Sequence, residues 1–221
     1  AQAMLMAFQS GRTGNMTFTG ISNFTRIVRD SRCMDALKVT LEYVVVTVPL
    51  ILALALILAV LLNDPKLKLK GVYRTCIFVP AAVSMVASAV IFRSLFAADG
   101  FVNSILVNVG ILQTGYNFLG HPSSARIILM MVRVWKMLGY QMIFYLAALQ
   151  GIDSTIYEAA KIDGATGLQQ FFKITIPMLK PTMVFTVVMS VNAAIQVYDE
   201  SVNLTNGGPG NATMPIAHYI Y

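Results

Sequence analysis

Of the 221 residues of this chain, 57% are hydrophobic and only 12% are charged, against about 25% charged in an average soluble domain. That balance excludes an ordinary soluble domain and marks a membrane protein. A net charge of +6 would suggest nucleic acid in a soluble chain, but here the cations stand mostly beside apolar runs, where they suit lipid phosphates and membrane topology; no nucleic-acid binding is expected.

The first eight residues, Ala1 to Phe8, open without Met, without a basic leader and without a cleavage site, so they read as the tail of a membrane helix rather than a signal peptide. Gln9 to Lys38 is polar, carries Gly11, Gly14 and Gly20, and belongs outside the bilayer core. Asn15, Asn23, Asn203 and Asn211 each begin an Asn-x-Thr triplet; chance matches to this glycosylation pattern are common, and no function is assigned to them. Tyr43 to Leu62 is uncharged and close to the ~20 residues that cross a hydrocarbon core, giving a first span over about 40–62, with Pro49 expected to loosen or kink it. Lys66, Lys68, Lys70 and Arg74 follow against Asp64, a cationic density typical of a cytoplasmic loop. Arg12, Arg26, Arg29, Arg32 and Lys38 ahead of the span dilute that signal, so charge alone leaves the orientation open.

Thr75 to Phe92, containing Pro80, predicts a second span over about 75–93. Leu95 to Ser124 holds Asp99-Gly100, Asn103, Asn108, Gly110, Gly115 and His121-Pro122, turn chemistry around an apolar helical stretch at Val102 to Val109. His121, alone and beside a proline, reads as a loop residue rather than a metal ligand. Arg126 to Leu149 predicts a third span, over about 126–150, yet it contains Arg133, Trp135, Lys136, Tyr140 and Gln141. A basic side chain near the bilayer centre costs about 2.5 to 3.5 kcal/mol on insertion scales, so it should face a bundle interior or a watery cavity. Snorkelling to the interface is the alternative, more open to Arg133 than to the deeper Lys136. Pro181 to Tyr198 predicts the last span, over about 181–200, with Ser190, Asn192, Gln196 and Tyr198 in its second half. Unpartnered polar groups are unfavourable in lipid, so this set is expected to face the same interior as Lys136. Asp199 and Glu200 either pair with Arg133 or end the helix in water. Leu204 to Thr213 reads as a turn, and Ile216 to Tyr221 stops as an apolar run begins. Cys33 and Cys76 are far apart and predict no disulfide framework.

The segment 151–180 between the last two spans is too polar for lipid. It runs Tyr157-Glu158-Ala159-Ala160-Lys161-Ile162-Asp163-Gly164-Ala165 and closes on Ile174-Thr175-Ile176-Pro177. Small and helix-forming residues around one central glycine predict two short helices that break at Gly164, where φ > 0 lets the chain turn, the second stopping at Pro177. Glu-Ala-Ala, three residues, Gly, nine residues and Ile-x-Ile-Pro is similar to the cytoplasmic loop signature of permease subunits of bacterial ATP-binding-cassette (ABC) importers, with Ile176 in place of leucine. Thr205-Asn206-Gly207-Gly208-Pro209 resembles the segment before the last helix of the carbohydrate-type members. Phe18-Thr19-Gly20-Ile21-Ser22-Asn23-Phe24 is similar to an external stretch that precedes an amphipathic surface helix in the family, whose apolar face here would be Phe24, Ile27 and Val28.

The resemblance implies an all-α fold: a polytopic transmembrane helical bundle of the ABC importer permease type, one permease domain over 1–221, cut short in its first and last helices. It implies that 151–180 is cytoplasmic and that 9–38, 94–125 and 204–215 are external, which puts the two cysteines on opposite sides of a bacterial inner membrane. By the same resemblance Glu158, Ala159, Ala160, Asp163, Gly164, Ala165, Ile174 and Pro177 couple to an ATPase, with Leu168, Phe171 and Phe172 anchoring the second short helix against the bundle. The run from Arg133 to Glu158 resembles a helix of carbohydrate permeases whose residues at and after the tryptophan face the sugar, and Ser190 falls at a sugar-contacting serine position, while Ala194 stands where a relative carries a polar residue. The substrate-pathway candidates are therefore Trp135, Lys136, Tyr140, Ser190, Asn192, Gln196 and Tyr198. The implied partners are a second homologous permease subunit, an ATPase dimer that carries ATP and Mg, an extracytoplasmic solute-binding protein and membrane lipid. The chain itself is expected to bind no cofactor and to be no enzyme, since it has no Gly-x4-Gly-Lys-(Ser/Thr) loop, no plausible catalytic triad and no metal-ligand cluster. The rival is an ion-coupled secondary transporter or channel that works without an ATPase, with Arg133, Lys136, Asp199 and Glu200 as its charge relay.

Overall fold

A computed structural model describes residues 2–11 and 17–221; Arg12, Gly14 and the start of the triplet at Asn15 lie outside the described residues. The chain begins with α1 (Gln2–Ala7) and a two-stranded antiparallel ribbon, β1 (Gln9–Ser10) and β2 (Thr17–Phe18), in which Gln9 faces Phe18. Helix α2 (Ser22–Arg29) follows, where the amphipathic surface helix is expected. None of its residues is buried; Asn23 holds it to the ribbon by donating to the Ala7 and Gln9 carbonyls, and Phe24 meets Phe8.

Helix α3 (Ser31–Asn63) is 33 residues long and continuous through Pro49. Asp30 caps it by accepting from the Arg32 amide, which satisfies one of the free N–H groups of a helix start. The expected second span is instead two helices, α4 (Lys70–Ala82) and α5 (Met85–Leu95), bent by 99°. Val83 is extended and ends α4, and Ser84 starts α5 by accepting from the Ala87 amide at 3.2 Å. Two adjacent extended residues with a serine cap are enough to break a helix that apolar composition alone predicts to continue. Helix α6 (Phe101–Asn108) lies within one residue of expectation, and buried Asn103 closes its loop through Ala97 O, Tyr116 O and the Tyr116 amide.

Helix α7 (Pro122–Gln150) is the centre of the molecule and packs on α3, α4 and α5. Ala55 and Ala59 of α3, both fully buried, let it approach closely, and Met142, Tyr145, Leu146 and Leu149 fill that contact. Toward the other end of the bundle Tyr43, Phe92, Leu129 and Val132 form a second cluster. Gly139 sits against α4, where an added Cβ would overlap the Ile77 carbonyl.

After α7 come α8 (Ser154–Ile162), α9 (Gly167–Gln170), a π turn over Phe171–Thr175 and α10 (Ile176–Ile195). The second short helix therefore does not stop at Pro177. Helical backbone runs from Gly167 to Ile195 as one rod. The π turn closes with the Ile176 amide on Phe171 O, which places Pro177 in the first turn of α10, where a proline's missing N–H is tolerated. The last span also ends earlier than expected, at Ile195; Gln196 to Tyr198 break it, and α11 (Asp199–Leu204) turns away to pack on α5 and α7. Helix α12 (Ile216–Ile220) lies on α3. Among the described residues three helices are long and apolar enough to cross a membrane, or four if the bent α4–α5 pair is counted as one.

Candidate functional site

The hairpin between α7 and α10 is built by local chemistry. Asp153 caps α8 by accepting from the Thr155 amide at 3.0 Å, and that bond holds its carboxyl below the usual carboxylate range. Gly164 ends the helix at φ +79°: the Gly164 amide bonds Lys161 O and the Ala165 amide bonds Ala160 O, the paired bonds of a left-handed glycine stop. Thr166 and Gln169 then cap α9 reciprocally. Tyr157 bonds Thr175 at 3.0 Å and Gln170 bonds Ala165 O at 3.1 Å, tying the two arms together.

This frame exposes Glu158, Ala159, Asp163, Gly164 and Pro177, with Ala160, Ala165 and Ile174 half-buried. Among the described residues the Glu158 carboxylate has no partner. The anchoring expected of Leu168 and Phe172 is not observed: they are 73% and 62% exposed, beside Ile162 at 87%. Phe171 alone of the three packs on the core.

The substrate-pathway candidates divide into three groups rather than lining one interior. Trp135 is half-buried with its ring 5.4 Å from Phe92 in the core, and Lys136 donates to Val83 O at 2.5 Å. That ammonium sits at the C-terminal end of α4, where unpaired carbonyls and the helix dipole favour a cation, so Lys136 holds the α4–α5 elbow. Ser190 faces α7, where it accepts from Gln141 at 2.8 Å, and one turn on Tyr145 bonds Thr186 at 2.9 Å. Tyr140 is 44% exposed, its ring against Phe144, which meets Phe185 of α10. Asn192 and Gln196 are exposed on α10 and bonded to each other at 2.8 Å. Tyr198 lies edge-on to His218 and Tyr221. Between Gln196, Tyr198 and Asp199 on one wall and Ile216, Ile220 and Tyr221 on the other runs an open groove of about 600 Å³.

Of the two readings of Asp199 and Glu200, the structure takes a different one for each residue. Glu200 is buried and bonds Arg133 at 3.0 Å, while Asp199 is exposed. Lys136 bonds a carbonyl instead, so the four residues of the proposed charge relay do not form a chain. The Thr205 to Thr213 turn is held by Arg93 to Leu204 O and Arg126 to Ala212 O, both 2.7 Å, and by Ser201 to Thr213 O at 2.6 Å. The sequence points to none of these arginine contacts, nor to the partners of Gln141 and Tyr145, because each joins residues that are far apart along the chain.

Residues 39–221 match the model of the family described as binding-protein-dependent transport system inner membrane component. The chain is 42% identical to the lactose transport system permease protein LacF of Rhizobium radiobacter, over all of this chain and 74% of the relative. It is 33% identical to the arabinooligosaccharides transport system permease protein AraP of Halalkalibacterium halodurans, over all of this chain and 70% of the relative. Its fold is similar to a chain in the crystal structure of a bacterial alginate ABC transporter in complex with an alginate pentasaccharide-bound periplasmic protein, with a TM-score of 0.82 and 27% identity over 91% of this chain and 70% of that one.

Proposed function

We propose that this chain, which belongs to the family of binding-protein-dependent transport system inner membrane components, is a sugar-import permease subunit that an ATPase drives through the hairpin at 151–180. The chain supplies the membrane path and no chemistry of its own. ATP and Mg belong to an ATPase dimer on the cytoplasmic side, a second homologous permease completes the path, and an extracytoplasmic solute-binding protein delivers the sugar. The observation that carries this reading is the hydrogen-bonded hairpin at the foot of the α10 rod, with a Glu158 carboxylate that has no partner among the described residues and exposed Ile162, Leu168 and Phe172. Exposed apolar side chains on the same short hairpin as a free carboxylate favour a protein partner.

Docked against the ATPase, Glu158 would accept a charge-assisted hydrogen bond worth roughly 1.5 to 3 kcal/mol. Ala159 and Ala160 allow close approach, and Gly164, with open space where a Cβ would stand, keeps the turn. The polar and aromatic side chains Tyr140, Asn192, Gln196 and Tyr198 suit a neutral hydroxylated solute. Sugar-stimulated ATPase activity in proteoliposomes tests the hairpin: Glu158→Lys and Gly164→Pro should each abolish stimulation while the permease still assembles. Full stimulation in both would refute the assignment.

A further inference from the structure

The seam between α7 and α10 carries two side-chain hydrogen bonds one turn apart, and they are not equivalent. The Tyr145–Thr186 pair is complete, because Thr186 also donates to Met183 O. Gln141 is only 4% exposed, and its Nε2 is engaged by Ser190, but its Oε1 is buried and has no partner among the described residues. In a bundle surrounded by lipid, bulk water does not reach such an oxygen, so it stands as an acceptor for any O–H or N–H group that enters the seam.

The neighbouring residues indicate which donor fits. The three cations that precede Gln141 on α7 are all engaged, Arg126 by Glu42 and Ala212 O, Arg133 by Glu200 and Lys136 by Val83 O. An anionic solute would therefore find no free cation here and would be repelled by a lone acceptor. Beside Gln141 the exposed Tyr140 ring, with Phe144 and Phe185 behind it, forms an aromatic wall at the open edge of the seam. An aromatic wall next to a fixed acceptor suits a neutral sugar, which offers a C–H face to the ring and a hydroxyl to the oxygen.

We infer that Gln141 is a specificity-determining residue of the transport path. Its Oε1 accepts one hydroxyl of a neutral sugar when the seam parts at Tyr140. The Gln141–Ser190 bond holds the amide so that its oxygen, and not its NH₂, meets the solute. This rests on the sugar-import reading and adds a selection rule to it: hydroxylated neutral solutes pass, and carboxylated ones do not.

The test uses the assembled transporter in proteoliposomes with lactose, maltose, trehalose and arabinotriose as probes, followed by the single-deoxy derivatives and a uronate derivative of whichever is imported. Gln141→Met, which keeps the shape and removes the acceptor, should raise KM for the intact sugar about tenfold. For one deoxy derivative, wild type and variant should agree within about twofold, because the same hydrogen bond has been removed from either side. Uptake of the uronate should be well below that of the neutral sugar. A tenfold loss on every derivative alike would identify packing or a trapped water as the role of Gln141 and overturn the inference, as would efficient import of the uronate. Gln141→Leu, which also removes the acceptor, is read the same way if the methionine variant does not assemble. If wild type imports none of the four sugars, the sugar-import reading falls and this inference with it; if it imports one without the coupling, only the role of Gln141 is lost.

Discussion

Arg133 and Glu200 illustrate what single residues decide in this molecule. Each is buried, and each would be unfavourable alone, since removing one partner of a buried ion pair costs about 3 to 5 kcal/mol. Glu200→Gln should therefore lower the thermal midpoint of the purified complex markedly, whereas the double change Arg133→Met with Glu200→Met should recover most of the loss. Similar midpoints for the single and double variants would mean that the pair is not the stabilising contact. Asp153 gives a prediction in pH. Its carboxyl is held below its ordinary value of about 3.9 by the Thr155 amide, so the cap contributes above that value and is lost as pH falls through the lower folded one. Amide exchange in the first turn of α8, corrected for its intrinsic rate, should stay constant from pH 8 to 5 and accelerate only in stronger acid. The residues legible in the sequence were those whose roles are local: Gly164 and the Glu-Ala-Ala run signal themselves by turn and helix chemistry, whereas the Asp153 cap emerged only with the structure. Lys136 did not, because the carbonyl it serves belongs to a helix more than fifty residues away.

At the scale of elements, composition located every apolar segment but not its shape. Thr75 to Phe92 has the right length for a straight span, and the elbow at Val83–Ser84 leaves no signal stronger than one serine. Pro177 read as a stop and proved to be a start, because the π turn before it shifts the hydrogen-bond pattern by one residue. That turn is itself testable. Deleting Lys173 should convert the π turn over Phe171–Thr175 to α-helix and, because four α residues turn the chain about as far as five π residues, leave the hairpin's orientation nearly unchanged, whereas inserting one alanine after Met178 should rotate it by about 100° about the axis of α10. The expected result is that the deletion keeps sugar-stimulated ATPase activity and the insertion, in a folded and assembled permease, loses it; retained stimulation in the insertion variant would show that the hairpin's orientation about the rod does not matter to coupling.

For the whole molecule, the fold class was the most legible feature, since 57% hydrophobic and 12% charged residues leave little besides a membrane bundle. Side and partners were readable only through the hairpin's likeness to a known loop. Two measurements check them together. A cysteine placed at Thr166 should react with an impermeant reagent from the cytoplasmic side alone, and the intact chain should copurify with a soluble ATPase and a second permease. Labelling only from outside would reverse the orientation and remove the motor from reach.

The unbroken helix from Gly167 to Ile195 has a mechanical consequence. Its 29 residues extend roughly 43 Å at 1.5 Å per residue, about the full thickness of a bilayer. A hairpin joined to its span by a flexible linker would dissipate part of each stroke in slack, but a stiff piston conserves it. An ångström of travel at Thr166 would arrive as nearly an ångström at Ile195, beyond which Gln196 to Tyr198 break the rod ahead of α11 and the arginine-clamped turn. On the proposed reading the step is set at the hairpin, and the break at Gln196 to Tyr198 is the first point beyond the rod at which the outer end can uncouple from it.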